Sequence, residues 1–190
     1  MRNIAVFVSG GGTNMENIIR YFSKSPKARV VLVISNKPDA FALTRARRLG
    51  VPTKVVGKTG MADEEAFMAL LNTYSVDFIA LAGFLLMVPK YLSDSFKGRM
   101  VNIHPALLPK YGGKGMYGHH VHEAVKANGE RETGITIHYV SEICDGGTII
   151  FQASVPISQD DSPDQIAQKV HDLEMEHYPK VIDKVLDSLI

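Results

Sequence analysis

Two polar side chains with complementary chemistry end an apolar segment near the middle of the chain. Asn102 and His104 are two residues apart, so both side chains point to the same side of an extended strand. An amide donor beside an imidazole is suited to hold a carbonyl oxygen that becomes an oxyanion during a reaction. We therefore predict that both residues are catalytic, against the alternative that His104 is a loop histidine bonded to the backbone.

A third candidate, Asp145, lies in the turn Asp145-Gly146-Gly147. Aspartate is common in such turns for structural reasons alone. A catalytic role requires the fold to bring Asp145 close to His104, where the carboxylate would favour the imidazolium and raise the pKa of the histidine. We predict this proximity.

The glycine-rich segment at residues 9–14 follows an apolar run and precedes a helical pattern. Free N–H groups at a helix N-terminus bind anions, and glycines allow close approach of the backbone to a phosphate. A dinucleotide site would need a third glycine at Met15, and the segment lacks the Gly-Lys-Ser/Thr ending of a triphosphate-binding loop. The segment predicts a site for a single phosphate monoester, with a tight strand-to-helix turn as the alternative.

Other polar residues carry weaker signals. His119, His120 and His122 cluster at a predicted helix start, but no accompanying carboxylate motif indicates zinc, so we expect a pocket rim and no metal site. Glu174, taken alone, is expected on a solvated helix face. The single cysteine, Cys144, excludes an internal disulfide, and we expect it to be buried as a small hydrophobic residue.

A sheet must position these candidates, because short apolar runs alternate with helical patterns along the chain. Strands are predicted at residues 4–8, 30–34, 55–56, 78–82 and 100–103, and helices at residues 15–22, 38–49 and 63–71. The alternation is typical of a doubly wound, mostly parallel α/β sheet of the Rossmann-like type with right-handed crossovers.

The last third of the chain has a different pattern. Period-two alternation over residues 135–140, a turn at 145–147 and a run at 148–155 predict an antiparallel strand pair at one side of the sheet. Ser162-Pro163-Asp164-Gln165 is a capping box that predicts the start of a long C-terminal helix. Because no repeat or linker interrupts these patterns, we predict one domain over residues 1–190.

Composition excludes several function classes. The chain has 190 residues, of which 45% are hydrophobic and 22% are charged, as in ordinary globular proteins. Its net charge of +1 argues against nucleic-acid or membrane-surface partners. The most apolar stretch, residues 78–88, is shorter than the roughly 20 residues of a membrane span. We therefore expect a cytoplasmic protein with small-molecule substrates, and the sequence leaves the oligomeric state open.

Together these motifs resemble the phosphoribosylglycinamide formyltransferases, folate-dependent enzymes of purine synthesis. The similar segments are SGGGTN at 9–14, SNKPDA at 35–40, LAGF at 81–84, NIHPALLPKY at 102–111 and DGG at 145–147. NIHP-x-LLP with a later D-x-G is shared with methionyl-tRNA formyltransferase and formyltetrahydrofolate deformylase. Those enzymes carry an additional domain, which is not expected to fit in 190 residues. The chain length and, separately, the glycine loop therefore favour the glycinamide ribonucleotide acceptor.

The resemblance implies transfer of the formyl group of 10-formyltetrahydrofolate, a co-substrate, to the amino group of glycinamide ribonucleotide in de novo purine biosynthesis, without a metal. It implies that protonated His104 and Asn102 stabilise the oxyanion while Asp145 keeps His104 charged. The implied substrate-binding residues are Gly12, Thr13 and Asn14 for the 5′-phosphate and Glu174 for the reacting amine. The implied folate-binding residues are Leu85, Leu86, Met87, Val88, Ser141, Ile143 and Asp145.

The chain departs from the family pattern in three places, one of which is Met175, where relatives often have a histidine after the helix glutamate. Many relatives have an arginine within the four residues after LAGF, where this chain reads LLMV, and the loop at residues 110–120 is longer and richer in glycine. The longer loop predicts a mobile or differently shaped site rim. Two alternative functions remain open at this point. One is a 10-formyltetrahydrofolate hydrolase, and the other is a non-catalytic module that binds a phosphorylated metabolite.

Overall fold

One seven-stranded sheet forms the centre of the molecule. The computed structural model describes residues 1–189. The strands are β1 (Arg2–Val8), β2 (Ala28–Ser35), β3 (Thr53–Val55), β4 (Phe78–Leu81), β5 (Met100–His104), β6 (Glu132–Tyr139) and β7 (Ile149–Pro156). Their order is β3-β2-β1-β4-β5-β6-β7. Strands β1 to β5 pair in parallel, whereas β6 and β7 are antiparallel.

Helices cover both faces of this sheet. They are α1 (Thr13–Phe22), α2 (Phe41–Arg48), α3 (Lys58–Ala62), α4 (Glu64–Thr73), α5 (Lys90–Ser95), α6 (His119–Ala127) and α7 (Pro163–Asp187). Alternate residues of β1 lie in two different core clusters, one containing α1, α2 and α7 residues and the other α3, α4 and α5 residues. The central strands are therefore buried on both faces, which explains their continuous apolar sequences.

The structure confirms the predicted doubly wound sheet and the antiparallel strand pair. Ser162 and Gln165 form the predicted capping box, and α7 continues through Pro179 to Asp187. Helices α3 and α5 were not predicted, because helices of five and six residues are too short for a periodic pattern. Within residues 1–189, we find no helix with the length and hydropathy that a bilayer span requires.

The strand order places the loops that carry the candidate residues at one edge of the sheet. From β1 the chain crosses to β2 on one side, and β4 lies on the other side of β1. The carboxyl ends of β1 and β4 therefore flank a topological switch point, where α/β proteins commonly bind ligands. Segments 9–14, 82–87 and 102–105 all begin at this edge, so the topology explains how residues far apart in sequence meet.

Candidate active site

A cavity of about 1010 Å³ lies at this edge of the sheet. It is lined by the loops that follow β1, β4 and β5, by the loop before α6, and by one face of α7. The sequence-predicted residues that line it are Gly12, Thr13, Asn14, Leu85, Leu86, Met87, Asn102, His104, Asp145 and Glu174. All three predicted catalytic residues and all four predicted substrate-binding residues therefore share one cavity.

Three predicted folate-binding residues lie outside the lining of this cavity. Val88 packs against the core cluster beneath the sheet, and the Ser141 hydroxyl bonds the backbone of Ile143. The Ile143 side chain is 65% exposed at the surface. The segment after β6 thus contributes Cys144 and Asp145 to the lining, while the preceding residues point elsewhere.

His104 and Asp145 are close, as predicted. The distance from His104 Nδ1 to Asp145 Oδ2 is 3.6 Å. On the other side of the ring, His104 Nε2 lies 2.6 Å from the carbonyl oxygen of Tyr111. Because a carbonyl can only accept, Nε2 carries the hydrogen, and in the neutral ring Nδ1 has a free lone pair.

Asp145 raises the pKa of His104, as predicted, but the net shift of this pKa is downward. Burial lowers the pKa of His104 below its ordinary value, because the imidazolium loses hydration, and this effect outweighs the opposing influence of Asp145. Only 4% of the residue is exposed. The imidazole is therefore neutral at pH 7 in the free protein and can accept a proton at Nδ1.

His138 is a site residue that sequence analysis missed. It lies opposite Asn102 in the antiparallel pair of β5 and β6. Its Nδ1 donates to the Tyr139 carbonyl at 2.9 Å, and its Nε2 accepts from Asn102 Nδ2 at 3.2 Å. This bond fixes the orientation of the Asn102 amide and leaves its second N–H for a ligand. The cross-strand position could have been found only with the register of β5 against β6.

Asp145 is fixed by the turn that contains it and by its neighbours. The residue has φ 53°, in the left-handed region, and its Oδ2 accepts from the Gly113 N–H at 2.9 Å. Burial raises the pKa of the Asp145 carboxyl. His138, the Gly113 N–H and His104 together lower it by a larger amount, so the net shift is downward. The carboxylate is therefore ionised at neutral pH and faces the two histidines.

The glycine loop after β1 forms another part of the cavity lining. Gly12 is the N-cap of α1 with φ 81°, and a Cβ there would lie 2.5 Å from Ala42 Cβ, so only glycine fits. Asn14 Nδ2 donates to Glu174 Oε2 at 2.8 Å, and Asn14 Oδ1 is buried without a hydrogen-bond partner. This hydrogen bond between Asn14 of α1 and Glu174 of α7 thus places the predicted phosphate loop beside Glu174.

Glu174 also contacts His171, one turn earlier in α7, which sequence analysis did not select. The distance from His171 Nδ1 to Glu174 Oε2 is 3.4 Å, and this contact raises the pKa of His171. Both residues line the cavity. An i, i+3 spacing on a helix could have indicated the pair.

The remaining candidates are placed as follows. His119 and His122 line the cavity, whereas His120 does not. Among residues 1–189, the His, Cys, Asp and Glu side chains form no cluster of three or more arranged to hold a metal ion. The expectation that Cys144 is buried is wrong, since the turn before β7 holds it at the surface beside Asp145.

We predict that two buried histidines make the protein less stable in weak acid. Burial lowers the pKa values of His104 and His122. Below about pH 6.5 the unfolded chain therefore binds protons that the folded protein does not, and the free energy of unfolding falls. Urea unfolding between pH 7.5 and 5.5 should show a smaller loss of stability in His122→Gln than in the parent chain.

The matched control has the opposite sign. Because the pKa of His171 is raised in the folded protein, its contribution to stability is present in weak acid and is lost as the pH rises. His171→Gln should therefore lose more stability on acidification than the parent chain. Parallel pH curves for the parent chain and His122→Gln would contradict the account of His122.

The fold and the site define a class of group-transfer enzymes that act on a carbonyl carbon. Asn102 and His104 at the end of β5, the Asp145 carboxylate and the glycine loop after β1 share one cavity at the switch point of an α/β sheet. The chain belongs to the formyl transferase family, whose sequence model matches residues 2–182.

Similar proteins carry a more specific name. The chain is 37% identical to phosphoribosylglycinamide formyltransferase of Escherichia coli, an alignment that covers 98% of this chain and 88% of the relative. It is 40% identical to the chloroplastic enzyme of that name from Arabidopsis thaliana, covering 100% of this chain and 67% of the relative. The crystal structure of the Streptococcus pneumoniae enzyme superposes with a TM-score of 0.86 at 35% identity, covering 97% and 99% of the two chains.

Proposed function

We propose that this protein transfers the formyl group of 10-formyltetrahydrofolate to the amino group of glycinamide ribonucleotide, in de novo purine biosynthesis. The observation that carries the proposal is the convergence of Asn102, His104 and Asp145 in a cavity that also contains the Gly12–Asn14 loop and Glu174. A cavity of about 1010 Å³ is large enough for two substrates. The names of the similar proteins support the same acceptor.

The two ends of the cavity suit different substrates. At one end, backbone N–H groups of the glycine loop and the Thr13 hydroxyl suit a phosphate monoester, and Glu174 suits the ribonucleotide's amino end. At the other end, Leu85 and Met87 are 46% and 60% exposed and present apolar surface, which suits the aromatic pterin of a folate. The catalytic side chains line the same cavity, so the formyl carbon and the amine could meet beside them.

The side chains support direct attack of the amine on the formyl carbon. As the carbon–nitrogen bond forms, the carbonyl oxygen gains negative charge, and the free N–H of Asn102 donates to it. Neutral His104 accepts the proton that the attacking amine releases, at Nδ1. The resulting imidazolium is stabilised by Asp145 and returns the proton to the leaving folate nitrogen. This order replaces the expectation that His104 is protonated from the start.

The proposal is tested by following the transferred carbon. The protein is mixed with glycinamide ribonucleotide and a folate that carries a ¹³C-formyl group. NMR should show the label in the amide of the ribonucleotide, with one equivalent of folate released for each amide formed. Appearance of the label only as free formate would contradict the proposal.

We also infer a cytoplasmic location and small-molecule substrates, without a nucleic-acid partner. A chain with nearly equal numbers of acidic and basic residues, and a site formed as a cavity in the protein surface, support this inference. The organisation of residues 1–190 as one domain stays a prediction.

The hydroxyl of Thr13 is predicted to contribute to phosphate binding. Thr13 is the first residue of α1 and lines the cavity. A hydrogen bond to a charged group contributes about 1.5–3 kcal/mol, so Thr13→Val should raise the KM for glycinamide ribonucleotide about tenfold or more. The KM for the folate should not change, and Thr13→Ser should restore most of the affinity. An equal rise in both KM values would contradict a phosphate-specific role.

Lys114 is predicted to attract an anionic substrate. It is the only lysine or arginine among the residues that line the cavity. The phosphate of the ribonucleotide and the carboxylates of the folate are the two anions that it could meet. Lys114→Gln should raise the KM for one of these substrates, and the effect should weaken at high salt.

The matched control is Lys110→Gln, because Lys110 pairs with Glu130 outside this cavity. We expect this variant to keep both KM values. Steady-state kinetics with each substrate varied in turn separates the two anions, and unchanged KM values in Lys114→Gln would contradict the prediction.

A further inference from the structure

A turn at residues 111–113 bonds both His104 and Asp145 through its backbone. The Tyr111 carbonyl accepts from His104 Nε2 at 2.6 Å, and the Gly113 N–H donates to Asp145 Oδ2 at 2.9 Å. A Cβ on the intervening Gly112 would lie 2.5 Å from Leu108 Cδ2. The turn is therefore closely packed between the loop after β5 and the turn that carries Asp145.

The Tyr111 side chain holds this turn from the outside. Its hydroxyl donates to Glu130 Oε1 and accepts from Asn128 Nδ2, both at 2.8 Å. Glu130 is in turn paired with Lys110 at 3.0 Å. The Tyr111 backbone has φ 56°, a conformation that residues other than glycine rarely adopt, so it needs such fixed contacts.

Tyr111 and Glu130 do not belong to the lining of the large cavity. Both line a separate cavity of about 260 Å³, on the other side of the loop. Any effect of these residues on turnover would therefore act through the catalytic side chains and not through contact with substrate.

We propose that Tyr111 is a positioning residue that fixes the tautomer of His104, with the hydrogen on Nε2 and the lone pair of Nδ1 beside Asp145. The inference rests on the proposed function, in which Nδ1 takes the proton of the attacking amine. In the other tautomer Nδ1 would carry the hydrogen, and the lone pair of Nε2 would face the Tyr111 carbonyl. That tautomer could not accept the proton at Nδ1.

The test uses two variants that loosen the turn without changing the cavity. Tyr111→Phe removes the hydroxyl, and Glu130→Ala removes its acceptor. Lys110→Gln is the control, because it removes a neighbouring ion pair and keeps the bond between Tyr111 and Glu130. Thermal unfolding establishes that each variant is folded, and Glu130→Ala serves alone if Tyr111→Phe does not fold.

Two readouts are combined. Nitrogen-15 NMR of the histidine rings, with His104 assigned by comparison with His104→Gln, should show a single Nε2–H tautomer in the parent chain and a mixture in both variants. Because small displacements of catalytic groups are costly, kcat should fall about fivefold to tenfold, with KM within about twofold of the parent value. Lys110→Gln should resemble the parent chain in both readouts.

The outcomes separate this inference from the proposed function. Unchanged His104 spectra in both variants would overturn the inference, whether or not kcat falls, because the turn would then not control the tautomer. Mixed tautomers with a lower kcat would support it. Mixed tautomers with normal turnover would support the positioning of His104 by Tyr111 and count against His104 as the proton acceptor.

Discussion

His104→Ala is expected to lower kcat about a hundredfold or more, since loss of a general base typically costs at least that factor. The KM values should change little, because the phosphate and pterin ends of the cavity are separate from the imidazole. His120→Ala is the matched control, since His120 lies nearby but outside the cavity lining. Near-normal turnover in His104→Ala would remove His104 from the catalytic role.

The pH dependence gives a second readout of the same residue. Because burial lowers the pKa of His104, the free imidazole should persist into weak acid, and kcat/KM should fall only below about pH 6.5. The acid side of this profile should be absent from the residual activity of His104→Ala. An unchanged profile in that variant would assign the titration to another group.

Asp145→Asn is expected to have a comparable effect, lowering kcat about a hundredfold, because the amide cannot stabilise the imidazolium that forms during transfer. The substitution preserves shape, and the amide oxygen can still accept from the Gly113 N–H. Substrate binding should therefore be nearly normal, and the loss should appear in kcat.

The charge of Asp145 should also be visible in the pH profile. Since the carboxylate raises the pKa of His104 against the larger effect of burial, its removal should shift the acid side of the profile to lower pH. Asp94→Asn, which removes an exposed partner of Lys90 outside the cavity lining, is the control and should behave as the parent chain. Turnover close to normal in Asp145→Asn would show that the carboxylate has only a structural role in its turn.

Local patterns were sufficient for the parts of the site that lie within one segment. The i, i+2 spacing of Asn102 and His104 follows from strand geometry, and the N-terminus of α1 follows from the glycines before it. The sequence identified Asp145 as a candidate catalytic residue but could not show that it lies near His104, because their distance depends on the pairing of β5 with β6. His138 was missed for the same reason.

Burial was the property that the sequence predicted least well. The pKa of His104 is lowered because loops from several elements close over the ring, and no local pattern reports that. Cys144 and Ile143 lie in the turn before β7 and are exposed although both are apolar by type. The resemblance to formyltransferases suggested the roles, while the fold determined which of the implied residues share the cavity.

The central claim, transfer of a formyl group to the ribonucleotide amine, is tested most directly by release of deformylated folate with and without the acceptor. The protein is incubated with 10-formyltetrahydrofolate alone and together with glycinamide ribonucleotide. We expect release only when the ribonucleotide is present. Equal release without it would identify a hydrolase, and no release in either mixture from folded protein would contradict the proposed reaction.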